Sequence, residues 1–131
     1  RIHQIRQSFQ DNMTEYCGVF RTAELMGQGL EKIAELQQQY SQIYLDDKGK
    51  SWNTELVEAL ELHSLMVVGQ TILASALNRQ ESRGAHFRED FSQRDDINFL
   101  KHTMAYYSST GIDIQYRPVT ITMFEPKERK Y

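Results

Sequence analysis

The densest run of reactive side chains is Glu81-Ser82-Arg83-Gly84-Ala85-His86-Phe87-Arg88-Glu89-Asp90. It joins arginines, a histidine, an aromatic ring and a glycine in one short stretch. Guanidinium forks bind carboxylates or carbonyls in fixed planar geometry, so such a run can recognise a ligand or a partner. Arg79, Arg83, His86, Arg88 and Arg94 are the candidates for an interface. Arg83 leads them because it precedes Gly84, where a helix should end and the chain can turn sharply. Glu81, Asp90, Asp95 and Asp96 offer the competing possibility, that the arginines are consumed internally.

The remaining chemistry-bearing residues read more blandly. Met26-Gly27-Gln28-Gly29 begins like a dinucleotide fingerprint, but position 32, where a third glycine belongs, is Lys32, and the context is helical. Small residues that let two helices approach account for it better. His3, His63, His86 and His102 do not pair with one another or with cysteine at metal-ligand spacing. His63 falls within a helix and reads as a partnered structural histidine. Glu55, Glu58 and Glu61 form a carboxylate stripe, which a solvated helix face explains better than acid–base chemistry. Cys17 lies on an apolar stripe, where a small core residue is the default over a nucleophile. No catalytic residue, cofactor-binding residue or metal ligand emerges.

The elements that would hold these residues are mostly helical. Ile2, Ile5, Phe9, Met13, Tyr16, Cys17 and Phe20 recur at spacings of three and four, which predicts a helix over roughly residues 1–18, with Gly18 as its stop. Thr22 can cap a second helix, with Glu24 in its first turn, and a stripe from Leu25 through Leu30, Ile33, Leu36 and Tyr40 to Ile43 follows. The polar run Asp46 to Ser51 breaks the pattern. Asn53 can cap a third helix over 54–79. Leu56, Val57, Leu60, Leu65, Met66, Val67, Val68, Ile72, Leu73, Ala76 and Leu77 give it an apolar face wider than one stripe, which should be covered on more than one side. Asp95-Asp96 can open a short helix. Residues 102–107 and 112–116 alternate around Ser108-Ser109-Thr110-Gly111 as a hairpin with a four-residue turn, and the spacing of Val119, Ile121 and Met123 suggests an edge strand beyond Pro118. A polar tail follows from Pro126 to Tyr131. The expected fold is mainly α: an antiparallel three-helix bundle over 1–83, then a charged loop, short helix, β-hairpin and tail over 84–131 as an extension of the same domain.

Bulk properties narrow the function. The chain has 131 residues, 40% hydrophobic and 25% charged, with a net charge of −3. That length suits one domain. The negative charge argues against a nucleic-acid partner, which calls for a basic stripe. One cysteine excludes an internal disulfide. No uninterrupted apolar run approaches the roughly 18 residues of a membrane span, so direct insertion is not expected. The first residues begin an amphipathic pattern rather than a signal peptide, and the absence of an initial Met suggests a processed piece or an expressed fragment.

The same charged segment carries a family resemblance. Glu81-Ser82-Arg83-Gly84-Ala85-His86, then Arg88-Glu89-Asp90, Arg94-Asp95-Asp96, Asn98-Phe99-Leu100-Lys101-His102-Thr103 and Tyr116-Arg117-Pro118-Val119 resemble the carboxy-terminal signature of succinate dehydrogenase and fumarate reductase flavoproteins. Phe20-Arg21-Thr22, Leu45-Asp46-Asp47 and Trp52-Asn53-Thr54 extend the likeness upstream, and Pro126 to Tyr131 extends it to the end. The resemblance implies a spectrin-repeat-like helical domain of a subunit that binds FAD and interconverts succinate and fumarate. Flavin and catalytic motifs of that family have no counterpart here, so the implied role is structural. It would pack on the flavin-binding domain of the same subunit and help present a surface to the iron–sulfur subunit. The implied location is cytoplasmic, peripheral on the inner face of the membrane through partner subunits. L-aspartate oxidases share the Glu-Ser-Arg-Gly element and are the alternative family. A free-standing helical adaptor is the alternative of a different class.

Overall fold

The computed structural model describes residues 1–128, so the last three residues of the polar tail lie outside the described part. Helix α1 spans Ile2–Tyr16, α2 Ala23–Tyr40, α3 Thr54–Asn78 and the short α4 Asp96–Phe99; strands β1 (Lys101–Ser108) and β2 (Gly111–Pro118) close the order.

The starts of α2 and α3 follow from side-chain caps. Thr22 accepts a hydrogen bond from the Leu25 amide at 3.2 Å, and Asn53 accepts one from the Leu56 amide at 2.9 Å. Each satisfies an amide that the first turn leaves without a partner. Asn53 also donates to the carbonyls of Asp47 and Gly49, which folds the polar loop 46–51 against the start of α3.

Short connections and end-to-end contacts set the directions. Arg1 at the start of α1 stacks over Tyr44, just beyond the end of α2, so these two helices run antiparallel. Arg6 donates to the Glu58 carbonyl near the start of α3, so α1 and α3 run parallel. The result is the up-down-up bundle expected from the sequence. Its core is Ile2, Ile5 and Phe9 from α1, Met26, Ile33 and Leu36 from α2, and Ala59, Leu62, Met66, Leu73 and Ala76 from α3. Gly69 marks the closest approach of α3 to α1: a Cβ there would lie 2.6 Å from Phe9 Cζ. Gly29 does the same for α2, where a Cβ would lie 2.8 Å from Tyr16 Cβ and 3.2 Å from Leu73 Cδ1. Close helix packing, the reading given to this glycine pair, therefore holds at Gly29; Gly27 meets no such neighbour.

Several details differ from expectation. Helix α1 stops at Tyr16, so Phe20 leaves its stripe and is exposed. Helix α2 stops at Tyr40, although Ile43 still packs on the core. Helix α3 ends at Asn78, well before Gly84; Gly84 instead turns the following loop at φ +58°. Only one stripe of α3 is covered. Val57, Leu60, Leu65, Val68 and Ile72 form a second stripe that stays exposed, with Leu65 at 40% and Leu60 at 61%. Among the described helices, α3 alone is long and apolar enough to cross a bilayer, because these two stripes add together.

The hairpin pairs Lys101 with Pro118 through Ser108 with Gly111, leaving a two-residue connection where four were expected. Gly111 sits at φ +132°, which a side chain would resist. No third strand forms among the described residues beyond Pro118. Proline gives the ladder no amide donor, and Met123 and Phe124 stand exposed.

Candidate functional site

The charged segment folds back across the end of the bundle where α3 finishes and α2 begins. Helix ends dictate what must sit there. The last carbonyls of α3 are unsatisfied and carry partial negative charge, whereas the first amides of α2 are unsatisfied and carry partial positive charge.

Arg88 meets the first need. It is fully buried, and its Nη1 donates to the carbonyls of Ala76 (3.2 Å), Leu77 (2.9 Å) and Arg79 (3.3 Å). Asp90 meets the second. Its Oδ2 accepts from the Ala23 amide at the start of α2 at 2.9 Å. The two side chains then bind each other as a parallel fork, Nε to Oδ1 and Nη2 to Oδ2, both at 2.8 Å. One ion pair thus places its cation on the end of α3 and its anion on the start of α2. The Arg88 bond, opposed by partial burial and aided by the Ala23 amide, holds the Asp90 carboxyl down at about 2.

Glu81 organises the second half of the segment. It is fully buried. Its Oε1 accepts from Arg79 Nη1 (2.6 Å) and Arg83 Nε (2.9 Å), and its Oε2 from Arg83 Nη2 (3.1 Å) and the Asp95 amide (2.9 Å). Burial alone would raise this carboxyl, but the bonds from Arg83, the Asp95 amide and Arg79 together carry it below the ordinary value. Arg79 also donates to the carbonyls of Phe99 (2.7 Å) and Lys101 (2.6 Å) and to Thr103 Oγ1 (2.9 Å), which fastens the hairpin to the end of α3. Arg83 reaches Asp96 Oδ1 at 2.5 Å, and Arg94 reaches Asp96 Oδ2 at 2.8 Å. Asp95 caps α4 through the amides of Ile97 and Asn98.

His86 lies between Arg21 Nη1 and the Arg79 carbonyl, at 3.0 Å from each. The backbone of Arg21 pairs with that of Phe87 and Glu89, so the α1–α2 linker joins the same assembly.

All five sequence candidates therefore meet in one network, and the acidic partners weighed against them sit in it too. Arg21 was visible only as part of the motif Phe20-Arg21-Thr22, because nothing in the local sequence links it to a residue 65 positions away. The other chemistry-bearing residues lie apart. Cys17 is half-buried against the core, and burial raises its thiol above the ordinary value despite nearby Arg21. His63 is exposed and lies against Tyr40. Glu55 accepts from the amides of Asp46 and Asp47, and Glu61 pairs with Arg6. Among the described residues no cluster of His, Cys, Asp and Glu has the geometry to hold a metal. Gly27 and Gly29 lie inside α2, where their amides belong to the helix and Gly29 packs on Tyr16 and Leu73. They do not fit a flavin pyrophosphate, which calls for a glycine turn at a helix start.

What the fold and site define is a class: a three-helix domain whose ends are locked by a charged brace that also carries a hairpin. Residues 6–131 match the family described as "Fumarate reductase flavoprotein C-term", and the chain belongs to that family. It is 42% identical over 129 residues to the fumarate reductase flavoprotein subunit of Haemophilus influenzae, covering 98% of this chain and 22% of that protein. It is 41% identical over 122 residues to the succinate dehydrogenase flavoprotein subunit of Rickettsia felis, covering 92% of this chain and 20% of that one. A solved structure of E. coli quinol fumarate reductase superposes with a TM-score of 0.93 at 38% identity, over 98% of this chain and 22% of that one. The chain spans about a fifth of the length of the curated relatives it matches. These relatives do not favour the L-aspartate oxidase alternative.

Proposed function

We propose that this chain is the supporting carboxy-terminal domain of a flavoprotein subunit that interconverts succinate and fumarate with FAD, the flavin and the reacting groups lying in the rest of that subunit. The observation that carries the reading is the uncovered apolar stripe of α3 on a domain whose relatives are about five times longer. Contiguous exposed apolar surface marks an interface. Val57, Leu60, Leu65, Val68 and Ile72 would pack on the flavin-binding domain of the same subunit. Such cover also explains why α3 is apolar enough for a bilayer without entering one.

The arginine-rich loop contributes differently. All four arginines bind carbonyls or carboxylates of this chain, but Arg83 and Arg94 keep 26% and 21% of their side-chain surface exposed against 14% for Arg79 and 1% for Arg88, so contact with other parts falls to Arg83 and Arg94. An iron–sulfur subunit is the partner they would face. Attachment to the inner face of the membrane, on the cytoplasmic side, would then pass through partner subunits. We take residues 84–131 as an extension of the domain of residues 1–83; the ties of Arg79 to Lys101 in the hairpin and of Arg88 in the loop to the end of α3 support this. The match of residues 6–131 to the flavoprotein family speaks against a free-standing adaptor.

The test compares this chain alone with a full-length subunit that ends in it. The full-length protein is expected to show flavin absorbance and succinate-dependent dye reduction, and the isolated chain neither. Stoichiometric flavin on the isolated chain, or a flavin-loaded full-length subunit inert toward both dicarboxylates, would overturn the reading.

A further inference from the structure

We propose that His86 is an acid-sensitive latch that holds the α1–α2 linker against the loop following α3. Both ring nitrogens are engaged: Nδ1 lies 3.0 Å from Arg21 Nη1, and Nε2 lies 3.0 Å from the Arg79 carbonyl. A guanidinium only donates and a carbonyl only accepts, so the ring is neutral with its proton on Nε2. A proton added to Nδ1 would face the Arg21 N–H head-on and set two like charges in hydrogen-bond contact. That contact must open.

The joint it closes is slender. The Arg21 amide donates to the Phe87 carbonyl at 3.2 Å, the Glu89 amide donates to the Arg21 carbonyl at 2.8 Å, and Arg21 Nε donates to the Gly18 carbonyl at 2.9 Å. Phe20 and Phe87 meet edge to face across it, both exposed. By contrast, the hold of Arg88 on the carbonyls of Ala76 and Leu77 does not pass through the ring, so the rest of the brace would survive.

The charges facing the imidazole come from three places: Arg21 from the linker, Arg79 from the end of α3, and Arg88 from the loop. Glu81 and Asp90, the nearby carboxylates, are taken up by arginines, and neither bonds to the ring. Burial first, then those three cations, hold His86 below its ordinary 6.5, against an opposing pull from the Arg79 carbonyl. A depressed histidine stabilises the fold fully above 6.5. Its contribution is lost as pH falls from there through the folded-state value.

The experiment follows the imidazole nitrogens by NMR while measuring exchange at the Arg21 and Glu89 amides, corrected for intrinsic rates, in the 131-residue chain and in His86→Gln. A several-fold loss of protection at those two amides is expected as the wild-type ring takes up its proton, with α3 amides unchanged and no such loss in His86→Gln. A ring that titrates while both amides stay protected would overturn the latch, as would the same acid loss in His86→Gln. If His86→Gln does not fold, the wild type decides: the two midpoints must coincide, and separate midpoints sink the proposal.

Discussion

Replacing Arg88 with alanine should be among the most damaging single changes in the chain. The guanidinium is fully buried and serves two masters, the terminal carbonyls of α3 and the Asp90 carboxylate. Truncation strips those carbonyls of their donor and leaves Asp90 with only the Ala23 amide and solvent. Breaking a buried ion pair by removing one partner costs roughly 3–5 kcal/mol. A domain of this size has about 5–15 kcal/mol in total, so the variant should lose roughly a fifth or more of its stability. Asp90 is partly exposed, which places the expected loss toward the lower end. Urea unfolding followed by circular dichroism measures it, provided the denaturant slope is unchanged. A double-mutant cycle with Asp90→Ala should return a coupling of about 1–3 kcal/mol. If Arg88→Ala lies within about 1 kcal/mol of wild type, the pair behaves as a surface salt bridge and the brace is not structural.

Helix α3 gives a matched contrast. Leu62→Ala, at a fully buried site, should cost roughly 2–5 kcal/mol, whereas Leu65→Ala, 40% exposed, should cost well under half of that in the isolated chain; equal losses would mean that α3 is covered on both faces. Acid sensitivity follows from Asp90. Its folded-state value of about 2 lies below the ordinary 3.8, so its stabilising contribution is present above 3.8 and lost as pH falls through about 2. The stability difference between wild type and Asp90→Asn should therefore shrink across that window, and a constant difference down to pH 2 would count against the assignment.

What could be read from the sequence was whatever is decided locally. Thr22 and Asn53 act on amides three residues away, so cap and helix start could be inferred together. The hairpin showed through alternation and Gly111. Leu65 misled because periodicity reports which face is apolar, not whether anything covers it, and this chain leaves that face bare. Val119, Ile121 and Met123 alternate like a strand, but Pro118 withholds the donor that pairing needs. The site was found by residue type but not by wiring. Arg88 and Asp90 are close neighbours in sequence, yet their meaning comes from helix ends at Ala23 and Leu77, which only the packed bundle brings together. Glu81 could be weighed as an internal partner of the arginines, but not as the buried hub, because the four N–H groups that converge on it, from Arg79, twice from Arg83, and from the Asp95 amide, are brought together only by the folded loop.

The most direct test of the supporting role is a charge placed on the bare face of α3. Leu60→Glu, at a residue 61% exposed, should leave the thermal midpoint of the isolated chain within error of wild type. In a full-length subunit ending in this chain, the same change should weaken flavin retention or lower succinate-dependent turnover, because an interface would have to bury an unpaired carboxylate. A full-length variant that keeps its flavin and turns over like wild type would contradict the assignment of this face as the docking surface.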